Sequence, residues 1–210
     1  MSCPKKNNCR KSGAQSDYLQ RIDELRENWK PLSVRVLFLA ESPPEQTEEI
    51  SRFFYNPQWR SNRLALRDFL RQRLVEGGFH EFADCEGERF LQVFQKRGFY
   101  LIDAISCPIE KNAKKKKLAS ECQQILSETI GRLRPQVILA LGKWAAMFFI
   151  PEIKMTEYHG KVVTPSGLSR KLPPETSEVI FSMWPSDRNK PRVEDIALPF
   201  KKLKEELRNH

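Results

Sequence analysis

The chain has 210 residues, 40% hydrophobic and 30% charged, which suits one soluble globular domain and excludes a disordered chain. No apolar run reaches the ~18 residues of a membrane span. The basic start of the chain has no apolar stretch behind it, so no membrane contact and no secretory leader are expected, and the expected location is cytoplasmic. The formal charge of +9 favours polyanions, because each phosphate neutralised by a cation releases counterions.

Residues 1–14 read as a basic lead-in and residues 15–210 as one domain. Residues 16–29 have helical spacing, with Tyr18, Leu19, Ile22, Leu25 and Trp29 on one apolar stripe and Ser16 as N-cap. The run 34–40 is a buried strand, broken at once by Glu41, Ser42, Pro43 and Pro44. A loop-rich stretch, 45–60, carries Phe53, Phe54, Tyr55 and Trp59. Helices are expected over 64–75, 87–96 and 118–133, and strands over 100–105 and 135–141. Gly142 opens a short helix to 149, 158–176 is a hairpin or irregular excursion, 178–183 is the fourth strand, and 193–208 is a closing helix. Strands alternating with helices define an α/β protein, a three-layer αβα sandwich around a central four-stranded parallel sheet.

Parallel strands bring their carboxyl ends to one edge, where ligands bind in such sheets. That edge collects Glu41 after the first strand, Asp103 in the second, Gly142 and Lys143 after the third, and Trp184, Pro185 and Ser186 after the fourth. A carboxylate on a stiff Pro-Pro turn is a candidate catalytic group, with a solvated strand exit as the plain alternative. Asp103 inside a hydrophobic strand is costly unless paired or functional. The densest charge run, Lys111 to Lys117, includes Lys114 and Lys115, and Lys201, Lys202 and Lys204 form a second. Either run is a nucleic-acid contact or a solvated face.

The five cysteines are odd in number and lack a secretory context, which argues against a disulfide framework. Cys85 reads as a core or surface thiol. Cys3, Cys9, Cys107 and Cys122 remain as a soft-metal set, for zinc or an iron–sulfur cluster.

In order and spacing these motifs resemble the uracil-DNA glycosylase superfamily, over about residues 32–205, and most closely its iron–sulfur branch. Ala40-Glu41-Ser42-Pro43-Pro44 stands where that branch has a Gly-Glu-x-Pro-Gly-like turn. Phe54, eleven residues after Pro43, matches the position of the family's base-stacking phenylalanine, although core packing is the alternative. Tyr100-Leu-Ile-Asp103-Ala-Ile-Ser-Cys107 matches a Tyr-x-x-Asn strand followed by a cysteine, with Asp in place of Asn. Cys122 falls where the last cluster cysteine is expected, and His159-Gly160-Lys161 resembles an Arg-Gly-Lys step. Trp184-Pro185-Ser186 replaces His-Pro-Ser.

The resemblance implies a monomeric, monofunctional DNA glycosylase of base excision repair that removes a damaged or deaminated, uracil-like base. Glu41, Asp103 and Trp184 would be catalytic, and Phe54, Asp103 and Ser42 would hold the base. Ser186, Arg188, Lys190, Lys143, Lys114 and Lys115 would meet DNA, and Lys143 reads equally as a solvated helix residue. Cys3, Cys9, Cys107 and Cys122 would hold a [4Fe–4S] cluster, although Cys3 and Cys9 have five residues between them rather than two.

Two departures bear on activity. A carboxylate only accepts hydrogen bonds, whereas Asn also donates to a uracil carbonyl. An indole N–H is a weaker anion stabiliser than histidine. A non-catalytic nucleic-acid-binding member of the fold is therefore the alternative, and a small-molecule-binding α/β protein is a third.

Overall fold

The computed structural model describes residues 16–44, 53–58, 66–109, 115–185, 189 and 193–209. The helices are α1 (Ser16–Asn28), α2 (Leu66–Glu76), α3 (Gly87–Lys96), α4 (Lys115–Leu133), α5 (Gly142–Ala146), α6 (Met155–Tyr158) and α7 (Leu198–Asn209). The strands are β1 (Val36–Ala40), β2 (Phe99–Asp103), β3 (Val137–Leu141), β4 (Val162–Val163) and β5 (Glu178–Ser182).

The sheet has the order β2-β1-β3-β5-β4. Pairs β1–β2, β1–β3 and β3–β5 are parallel, as expected. The fifth strand is the difference from the expected four: β4 lies antiparallel on β5, with Val162 opposite Ile180. Two residues inside a Gly- and Pro-rich stretch carry no alternation that a pattern could reveal.

Every residue of β1, β2 and β3 is buried, which requires cover on both faces of the sheet. On one face Phe38 and Phe99 meet Phe94 of α3 at ring distances of 5.1 and 5.5 Å. On the other, Leu19 and Ile22 of α1 and Leu126 and Leu133 of α4 flank Tyr100 and Ile102. β2 is an edge strand, and an open edge invites mispairing. Tyr55 covers part of it: its hydroxyl accepts from the Leu101 N–H at 2.6 Å and donates to the Leu101 carbonyl at 3.1 Å.

α7 starts five residues later than the expected 193. The Asp195 carboxylate accepts from the Ala197 N–H at 2.9 Å, and the helix begins only after this side-chain turn.

Candidate active site

The register sets Ala40 opposite Asp103. Main-chain pairing then continues beyond both strands: the Ala104 N–H donates to the Ala40 carbonyl at 2.8 Å and the Ile105 N–H to the Glu41 carbonyl at 2.9 Å. Glu41 and Asp103 are thereby held at adjoining strand ends. The Pro-Pro turn is tethered from α1, where the Tyr18 hydroxyl donates to the Pro44 carbonyl at 3.1 Å.

Glu41 is half-buried, and its Oε1 lies 2.5 Å from Lys115 Nζ, on the first residue of α4. Lys115, expected on phosphate, is thus engaged with the candidate catalytic carboxylate. Both partners keep substantial solvent contact, so the pair contributes at most about 1 kcal/mol to stability.

The Asp103 side chain is only 4% exposed, and Arg26 Nη2 approaches its Oδ2 to 2.7 Å. The Arg26 guanidinium also lies 3.6 Å from Asp23 Oδ1 and over the Phe53 ring, 5.6 Å from its centroid. Burial pushes the Asp103 carboxyl up to about 6; the Arg26 charge pulls it down and the Glu41 charge pushes it up. The coupling to Glu41 fits two carboxylates at one sheet edge. Arg26 was missed as a site residue, but the signal was present. It lies four residues after Ile22 and three before Trp29, on the buried stripe of α1. A cation on such a face needs a buried partner.

Phe54 requires a correction. It is 5% exposed, and its ring meets Tyr55, Phe90 and Phe94 at 4.9, 5.9 and 5.2 Å. With its ring packed into the aromatic core, it offers no open platform to a base. Phe53, its neighbour in sequence, is the ring beside the Arg26–Asp103 pair.

Trp184 is half-buried and lies against Gly142, where an ideal Cβ would come 3.4 Å from its Cε3. Gly142 also has φ of +83°, so glycine serves both the turn and the close ring. Among the described residues the Trp184 indole N–H has no hydrogen-bond partner.

Two residues outside the expected set fix this strand exit. Arg73 of α2, fully buried, donates from Nε to the Pro185 carbonyl at 3.2 Å and pairs with Glu76. His159 Nδ1 accepts from the Met183 N–H at 3.1 Å. Its Nε2 therefore carries the proton and donates to the Asp195 carbonyl at 2.9 Å. Burial lowers the His159 pKa and favours this neutral ring.

Ser42 is half-buried beside Glu41, and Lys143 is exposed at the start of α5. Lys114, Ser186, Arg188, Lys190, Cys3 and Cys9 lie outside the described residues. Cys107 and Cys122 are both buried, 3% and 6% exposed, and Cys122 packs with Ile105 and Ile109. Cys107 is disulfide-bonded, a departure from the expected set of four free thiolates, and Cys85 is a buried free thiol. A cavity of about 490 Å³ lies between α1, β2 and α4, with Arg26, Asp103, Tyr100 and Cys107 in its wall. Glu41, Phe54 and Trp184 are not in that wall.

The family model of the uracil DNA glycosylase superfamily matches residues 28–208. The chain belongs to that superfamily. No curated protein matches the chain. No helix among the described residues is long and apolar enough to cross a membrane.

Proposed function

We propose that the protein is a monofunctional DNA glycosylase that hydrolyses the N-glycosidic bond of a damaged or deaminated, uracil-like base in base excision repair. The observation that carries this reading is the pairing of Ala40 with Asp103, which puts Glu41 and Asp103 at adjoining strand ends in a chain of this superfamily.

A glycosylase extrudes the nucleotide and reads the base edge in a pocket. Asp103, ionised, accepts from a ring or amino N–H of that base. The sugar becomes cationic as the base departs. Glu41 then stabilises that cation or activates the attacking water. The Trp184 indole N–H donates to the leaving base as charge develops on it. Lys114, Lys143, Ser186, Arg188 and Lys190 contact backbone phosphates.

The test is strand cleavage after alkali, on duplex and single strands carrying uracil, hypoxanthine or xanthine. Cleavage by the parent that Glu41→Gln loses supports the reading. Binding without cleavage of any base supports a non-catalytic nucleic-acid-binding member of the fold. One observation favours that second reading: both carboxylates are engaged by cations, Glu41 by Lys115 and Asp103 by Arg26.

Cys3, Cys9, Cys107 and Cys122 are the residues that would hold a [4Fe–4S] cluster, whose usual ligands are four thiolates. Of the two described members, Cys122 is a buried thiol within α4, whereas Cys107 is disulfide-bonded and would have to be reduced before it could serve as a thiolate ligand. The excision chemistry assigned above belongs to the side chains alone.

A further inference from the structure

The other end of the sheet holds an unexplained concentration of charge. A cavity of about 260 Å³ lies where β1 and β2 begin, and its wall includes Arg35, Arg97, Lys204 and Arg208 but no carboxylate. Its floor is the Phe79 ring. Lys204 Nζ stands 4.5 Å from that ring's centroid and Arg97 Cζ 5.9 Å from it, so both charged heads gather at one aromatic ring.

The ion pairs of α7 are selective. Lys201 is paired with Asp195 at 2.6 Å and Lys202 with Glu205 at 2.7 Å. Lys204 and Arg208, which face the cavity, have no carboxylate partner among the described residues. Arg35 has a neutral partner, the Gln136 amide oxygen at 3.4 Å. Glu81 pairs with Arg97 and also feels the Lys204 charge, and it is the one carboxylate among the described residues with an ion pair to a cation of the cavity wall.

The site is also shaped. Gly98 has φ of +71°, and an ideal Cβ there would come within 2.9 Å of Arg35 Cγ. Glycine lets the Arg35 stem lie across the turn into β2, at the cavity's rim. Cations held together in this way repel one another until an anion joins them.

We propose that this cavity binds a phosphoryl anion. It lies at the opposite end of the strands from Glu41 and Asp103, roughly 15 Å or more along five-residue strands. The excision site and this one are therefore separate, and the proposal does not depend on the glycosylase reading. The phosphoryl group has two sources, a small phosphorylated ligand or the backbone of a nucleic-acid segment.

Calorimetric titration of the full chain with pyrophosphate tests it. The parent is expected to bind one pyrophosphate saturably at ~50 mM salt. Lys204→Gln with Arg208→Gln should weaken binding by about 10-fold or more. Lys202→Gln, which removes the same charge from a paired lysine outside the cavity, should bind like the parent. Arg208→Gln alone alters only an exposed side chain and should still weaken binding, which guards against a fold defect in the double variant. Absence of saturable binding by the parent overturns the proposal, as does equal weakening by Lys202→Gln. Displacement of pyrophosphate by a short duplex identifies backbone phosphate as the source. Displacement by a nucleoside triphosphate but not by duplex identifies a small ligand.

Discussion

Arg26 Nη2 lies 2.7 Å from Asp103 Oδ2, and this contact joins the N-terminal helix to the end of the edge strand. It makes α1 part of the candidate site, because the Asp103 carboxylate is held by a residue 77 positions away in sequence. The position at which Asp stands for Asn therefore cannot be read alone.

The first prediction concerns that pair. Asp103→Asn removes the charge but leaves the Arg26 guanidinium largely buried. Breaking a buried pair costs up to about 3–5 kcal/mol when one charge is left uncompensated, and Asp23, 3.6 Å from the Arg26 guanidinium, offsets part of that cost. The double variant Arg26→Met with Asp103→Asn removes both charges and should recover most of that loss. Urea unfolding of the two single variants and the double variant measures the coupling. In excision assays the double variant, not the single, should favour uracil, because a stable amide then offers a donor to a carbonyl. Additive losses of stability would refute the coupling.

The second prediction follows from protonation. Burial raises the folded Asp103 carboxyl to about 6, above its ordinary 3.8. The folded state therefore prefers the neutral acid. The stability this group contributes is complete below about pH 4 and is lost as pH rises through 6. Ionised Asp103, the hydrogen-bond acceptor, accumulates over the same rise, so excision should increase through about pH 6. Arg26→Gln removes the charge that favours ionisation and should move the rise to higher pH. Carbon NMR of the Asp103 carboxyl, followed through the titration, checks this without reference to activity. An unmoved titration in Arg26→Gln would contradict it.

Periodicity and strand ends made much of this architecture legible in the sequence. The hydrophobic runs of β1, β2, β3 and β5 and the spacing of α1, α3 and α4 follow local rules that tertiary packing did not override. β4 escaped because two residues make no period. Phe54 was read as a base platform because nothing local says which rings meet the core, and the fold buries both Phe53 and Phe54. Arg73 and His159 escaped for another reason. Their long-range partners are main-chain groups of Met183, Pro185 and Asp195, and backbone N–H and carbonyl groups leave no mark in a sequence. Arg26 was recoverable from its place on the apolar stripe of α1.

The third prediction concerns His159. Burial holds its pKa below the ordinary 6.5, against the upward pull of the Asp195 carbonyl and charge, and the neutral ring bridges the Met183 N–H and the Asp195 carbonyl. The unfolded chain takes up the proton first as pH falls. The stability from the neutral ring is complete above about pH 6.5 and is lost as pH falls toward the folded value. His159→Gln offers one acceptor and one donor without titrating, so its melting temperature should fall less steeply than the parent's between pH 7 and pH 5. Parallel melting curves would argue against the bridge.

The fourth prediction concerns the thiols. If the four cysteines hold a [4Fe–4S] cluster, anaerobically purified protein should be brown, absorb near ~400 nm and carry about four irons per chain. Cys122→Ala should lower the iron content, while Cys85→Ala, which changes a thiol outside the set, should leave it unchanged. Iron-free parent protein would eliminate the cluster.

The last prediction turns on Glu41 and Lys115. Glu41→Gln should lower the excision rate by roughly 10²-fold or more, the scale of a single acid–base or electrostatic group. Its effect on DNA binding should have the opposite sign. Glu41 Oε1 holds Lys115 Nζ at 2.5 Å, so removing the carboxylate charge frees that lysine for a phosphate. Affinity at low salt should rise, and the slope of log K against log salt should steepen by about one unit for one added contact. Lys115→Gln separates the two effects. It leaves Glu41 charged and should lower DNA affinity little, because this lysine is already engaged in the parent. A large loss of affinity in Lys115→Gln, with none of the gain in Glu41→Gln, would mean that the lysine serves DNA directly and that its pairing with Glu41 does not govern binding.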